Sequence, residues 1–112
     1  MRARLYAGIL TTTIALGLAG PGLAGASEYT LTIKDHRFEP AQLTVPAGTK
    51  VKLRIKNLDS TPEEFESYEL NREKVVPAGK EVVVFIGPLK AGKYPFFGEF
   101  HEDSARGVIV VE

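Results

Sequence analysis

The 112-residue sequence balances 14 basic against 14 acidic residues and contains no cysteine, one methionine and two histidines. Without cysteine it has neither a disulfide framework nor a thiolate to serve as nucleophile or metal ligand. Without a basic excess or a lysine-rich stretch with interleaved aromatics, it offers nothing to attract nucleic acid.

The chain opens with Arg2 and Arg4, an apolar run from Leu5 to Leu18, a Gly20-Pro21-Gly22 break and the small-residue exit Ala24-Gly25-Ala26. This order of charge, apolar stretch and cleavage pattern predicts a secretory signal peptide over residues 1–26 and export to the periplasm. A retained membrane anchor is the competing reading, but the run falls short of the roughly 20 residues a spanning helix needs. Residues 27–112 then form one domain with 12 basic and 14 acidic residues, a net charge of −2. Met1 lies in the leader, so that domain has no sulfur ligand of either kind. A domain of this size buries only about 60% of its unfolded surface, so a bound metal would add to its stability by mass action.

Tyr29, Leu31 and Ile33 alternate with Thr30, Thr32 and Lys34, the period of a half-buried strand. Val45-Pro46-Ala47-Gly48 is a turn, because Pro presets φ and Gly permits a positive one. In the next strand Val51, Leu53 and Ile55 oppose Lys50, Lys52, Arg54 and Lys56. A one-residue slip would bury four cations, which sets the register strongly. Residues 57–62 are a loop by composition, and Glu63 to Leu70 is consistent with either a strand or a short helical piece. Pro77-Ala78-Gly79 repeats the earlier turn, and the β-branched run Glu81 to Ile86 predicts a strand packed on both sides. Gly87-Pro88 ends it, Ala91-Gly92-Lys93 turns into Tyr94-Pro95-Phe96-Phe97, and Gly107 to Val111 is the last strand. About seven short strands with frequent turns and no long helical period predict an all-β, antiparallel Greek-key sandwich.

Two clusters of oxygen and nitrogen ligands stand out. One is Glu63-Glu64-Phe65-Glu66, and the other is Glu99, His101, Glu102 and Asp103. His36 is the second imidazole. Imidazole suits copper, zinc and iron, whereas carboxylates shift preference toward harder ions. A solvated acidic face is the competing reading for the glutamates, and Glu102 and Asp103 read as solvated turn residues. Phe65 argues for a functional cluster, since a large aromatic within the acidic run pins the backbone to a core. No G-x-S-x-G elbow, phosphate loop or dinucleotide fingerprint is present.

Phe38-Glu39-Pro40, Leu43 to Thr49, Val51 to Asn57 and Gly92 to Gly98 resemble bacterial cupredoxin-like domains over nearly all of residues 27–112. In blue-copper members a histidine follows a proline after the Asn-containing loop, and here Pro62 is followed by Glu63 and Glu64. Gly98 stands where the cysteine would be, His101 keeps the place of the second histidine, and Arg106 falls near the methionine. The resemblance thus excludes a thiolate–copper electron-transfer centre. Glu63 to Ser67 together with Gly98 to His101 is most similar to the subgroup found with periplasmic iron-uptake systems. That resemblance implies copper or iron binding in a non-blue site, ferrous iron oxidation or delivery, and an iron permease or periplasmic iron-binding protein as partner. The ligand candidates are His101, then Glu63, Glu64 and Glu66, then Glu99, with His36 as a cap. Strand alternation places Glu63 inward with Phe65, whereas the Glu-aromatic-Glu pattern of the subgroup favours Glu64 and Glu66. So few ligands per chain also suit a homodimer or a site completed by a partner. The rival functions are a metal-free interaction module presenting Phe96, Phe97 and Phe100, with one of Phe96 and Phe97 in the core, and a copper-dependent ferroxidase.

Overall fold

The computed structural model describes residues 26–112, so the predicted leader, apart from Ala26, lies outside the described residues. Among the described residues nine strands follow one another: β1 Ser27–Lys34, β2 Arg37–Glu39, β3 Gln42–Val45, β4 Val51–Asn57, β5 Glu63–Ser67, β6 Arg72–Val76, β7 Glu81–Ile86, β8 Gly92–Gly98 and β9 Arg106–Val111. They form two facing sheets, a five-stranded one in the order β3-β9-β8-β5-β6 and a four-stranded one in the order β2-β1-β4-β7. This is the all-β sandwich the turn spacing predicts. Each sheet also holds one parallel pair, β3 with β9 and β1 with β4, among otherwise antiparallel neighbours.

Period-2 patterning decides which side chains meet between the sheets. Along β4, Val51, Leu53 and Ile55 are buried while Lys52, Arg54 and Lys56 point outward, as the cation-based register requires. Leu31 and Ile33 of β1 join them from one sheet, and Phe65, Phe96, Ile109 and Val111 close the core from the other. Phe38 meets Phe96 edge-to-face at 4.9 Å between ring centroids, a favoured aromatic geometry. Burying one such side chain contributes about 1.5–3 kcal/mol.

Two readings of the sequence are refined by this arrangement. The Glu63–Leu70 stretch is a strand to Ser67 and then a turn over residues 68–71, with Asn71 at φ 56°. The run Glu81–Ile86 is not packed on both sides. It is an edge strand with β4 as its one neighbour in the sheet, with Val84 and Ile86 inward and Phe85 half-exposed. Lys50 lies over the Phe85 ring at 5.2 Å, so the outward aromatic is partly covered by a cation.

Candidate metal centre

The predicted ligands all lie near one end of the sandwich, where β5 runs beside β8 and the short 3₁₀ turn Glu99–His101 follows β8. Strand alternation divides them into two groups. Glu63 pairs across the ladder with fully buried Val76, so it points inward like Phe65. Glu64 pairs with exposed Val75, so Glu64 and Glu66 point to the outer face.

The inner group is built on Glu63, which is 1% exposed. Its Oε1 accepts hydrogen bonds from the backbone N–H groups of Glu64 and Phe100, both at 2.8 Å. Its Oε2 lies 2.7 Å from Nδ1 of His101. Two backbone N–H donors already converge on this carboxyl, the pattern of an acceptor, and that pattern assigns the hydrogen of the third contact to Nδ1. His36 stacks on His101 with ring centroids 3.6 Å apart and planes 14° from parallel. The Asp35-His36 turn joins β1 to β2, and both residues have positive φ, 52° and 58°. Such a two-residue hairpin turn matches the twist of its strands but is strained for side-chain-bearing residues. Asp59 holds it. Its carboxylate accepts from the N–H of Asp35 at 2.8 Å and of His36 at 3.0 Å. Burial by itself would raise the Asp59 carboxyl, but the His36 and Asp35 N–H groups and the two imidazoles bring it below its ordinary value. Ser104 completes the support by donating its hydroxyl to the His36 carbonyl at 2.6 Å.

The outer group contains Glu64, Glu66 and Glu99, each with a carboxylate oxygen within 4.8 Å of the others. Glu73 of β6 stands directly opposite Glu66 in the ladder. Like charges placed opposite one another destabilise a sheet. Glu66 is only 8% exposed, and no lysine or arginine pairs with any of these four glutamates among the described residues. Burial first, then hydrogen bonding and repulsion from Glu99 and Glu73, push the Glu66 carboxyl up to about 7. Burial and the charges of Glu99 and Glu73 also raise Glu64. A cation bound here would neutralise this cluster with oxygen donors alone, the donor set of hard metal ions.

The structure therefore brings Glu64, Glu66 and Glu99 together on one face, and Glu63, His101 and His36 on the other. Glu102 and Asp103 are exposed turn residues, as expected. Two contributors were not legible in the sequence. Glu73 joins the cluster only through the β5–β6 register, and Asp59 sits in a loop whose composition is that of any turn. Of the proposed interaction aromatics, Phe96 is 1% exposed and belongs to the core, so it presents no surface, while Phe100 is 48% exposed.

The sequence matches the cupredoxin-like domain family over residues 6–111, and the chain belongs to that family. It is 50% identical over 84 residues to the uncharacterised protein RP394 of Rickettsia prowazekii (strain Madrid E), covering 75% of this chain and 67% of the relative. The chain spans about two thirds of the length of the first relatives matched. Among solved structures, it resembles the metal-binding domain of the Streptococcus pneumoniae D39 Cu(I)-exporting P-type ATPase CopA. There the TM-score is 0.70 at 14% identity, over 79% of this chain and 87% of that one. Auracyanin A, a blue copper protein of Chloroflexus aurantiacus, superposes with a TM-score of 0.68 at 17% identity, over 79% of this chain and 100% of that one. At these identities the likeness shows the fold. The blue-copper ligand set does not fit this chain, since Gly98 offers no ligand atom and the space above it holds the Glu63 carboxyl.

Proposed function

We propose that this protein is an exported metal carrier that serves iron uptake, holding a hard cation, ferric iron foremost, on Glu64, Glu66 and Glu99. Glu73 lies close enough to Glu64 and Glu66 to add its charge to the same ion. The observation that carries the reading is Glu66. It is a residue more than nine-tenths buried whose carboxyl bonds to those of Glu73 and Glu99, and among the described residues no lysine or arginine forms a salt bridge with it. Burying such a group without a partner is costly, and a bound cation removes the cost. The leader-like residues 1–26 and the resemblance to iron-uptake domains support a periplasmic setting and an iron permease or periplasmic iron-binding protein as recipient. The test is calorimetric titration of the purified protein with iron, copper and zinc, beside Glu66→Gln and Glu64→Gln. Wild type should bind iron, and each variant should weaken it at least about tenfold, since losing even an outer-shell partner of a ligand costs that much. Wild type that binds no metal, or Glu66→Gln with unchanged affinity, overturns the proposal.

A further inference from the structure

The resemblance to blue-copper domains places their proline-following histidine at the Glu63-Glu64 pair, of which Glu63 points inward, their cysteine at Gly98 and their second histidine at His101. In this chain those three positions do meet, but they satisfy one another. Both oxygens of Glu63 are occupied, Oε1 by two backbone N–H groups and Oε2 by His101 Nδ1. A Cβ at Gly98 would lie 2.6 Å from the Glu63 carboxyl carbon and 2.7 Å from its Oε2. The carboxyl therefore fills the volume that a cysteine side chain would need. One face of the His101 ring is covered by His36, which Asp59 and Ser104 fix in place. An ion entering here would have to break three hydrogen bonds to a buried charged group, and such bonds are among the strongest a fold contains.

We infer that at this pole an internal carboxylate–imidazole link replaces the metal of the fold. Glu63 and His101 Nδ1 then hold the start of β5 to the β8–β9 turn without an ion, and any metal this chain carries takes neither that carboxyl nor that ring nitrogen. The link joins residues 38 apart in sequence and is extended by the His101 carbonyl, which accepts from the N–H groups of Ser104 and Ala105. The metal-free protein thus keeps its loops ordered. A carrier that hands its cation to a recipient needs this property, although the inference does not rest on the carrier reading.

The test uses the wild-type protein with ¹⁵N-labelled histidines and zinc(II), a diamagnetic probe accepted by both imidazole and carboxylate. The His101 Nδ1–H signal should persist, and its nitrogen shift should not move, through one equivalent of zinc. Loss of that proton, with the nitrogen moving to a metal-bound position, overturns the inference. Independently, Glu63→Gln keeps an acceptor for the backbone but cannot accept from His101 Nδ1–H in the same way. In chelator-treated protein it should lower the thermal midpoint by about 6 °C or more. A midpoint equal to that of wild type also overturns the inference. Should zinc bind nowhere, the link stands or falls on the midpoint of Glu63→Gln, and the carboxylate site on its own titration with iron.

Discussion

Replacing Gly98 by alanine tests the inner group directly, because the backbone there permits the substitution and only space forbids it. Gly98 has φ −97° and ψ 115°, ordinary extended values that alanine adopts without strain. Its new methyl would lie 2.6 Å from the Glu63 carboxyl carbon and 2.8 Å from the Ala105 Cβ. Ala105 is fully buried and tied to its surroundings by the bond from its N–H to the His101 carbonyl, so the carboxyl is the group that must move. Overpacking costs about 1–3 kcal/mol, and each hydrogen bond to a charged group that breaks adds about 1.5–3 kcal/mol before the groups find new partners. A net loss of roughly 2–4 kcal/mol follows, which for a domain of this size lowers the thermal midpoint by about 10–25 °C. Thermal and urea unfolding with an unchanged m-value would measure it. The decisive control is Glu63→Ala combined with Gly98→Ala. Truncating Glu63 vacates the volume the methyl needs, so the double variant should be less destabilised than the sum of the two singles. Strict additivity, or a Gly98→Ala protein as stable as wild type, would refute the packing of Glu63 above Gly98.

Three further outcomes are expected. Glu66 has a folded-state pKa of about 7 against an ordinary 4.5, so the folded protein keeps a proton there that the unfolded chain has released. The metal-free protein should therefore lose stability as pH rises from about 4.5 to about 7, and Glu66→Gln should flatten that slope in melts across the range. Asp59→Ala strips the acceptor from two backbone N–H groups in a positive-φ turn and should cost about 1–2 kcal/mol, seen as a lower urea midpoint and faster amide exchange at His36. A saturating hard cation should raise the melting midpoint, since a ligand at 100 times its dissociation constant adds about 2.7 kcal/mol; chelation should reverse the gain, and at the same concentration Glu66→Gln, bound about tenfold more weakly, should gain about 1.4 kcal/mol or less.

Much of this molecule is determined locally and is legible in one dimension. The alternation from Val51 to Lys56 separates apolar from cationic side chains, and the two Pro-Ala-Gly turns place Gly48 and Gly79 at φ 70° and 69°. Period 2 also orients Glu63 with Phe65, because successive side chains of a strand point to opposite faces. What alternation cannot supply is which strand lies beside which. The placement of Glu73 opposite Glu66 depends on the β5–β6 register. The meeting of His36 and His101 depends on one sheet's hairpin turn reaching the other sheet's terminal turn. The acidic runs read as one candidate site along the chain, yet alternating side chains across a sheet divide them into an inward carboxylate bonded to imidazole and an outward cluster open to a cation. Short-range chemistry thus determined the strands and the residue types available. The long-range pairing of strands, set by burial over the whole core, decided which of those residues share a surface.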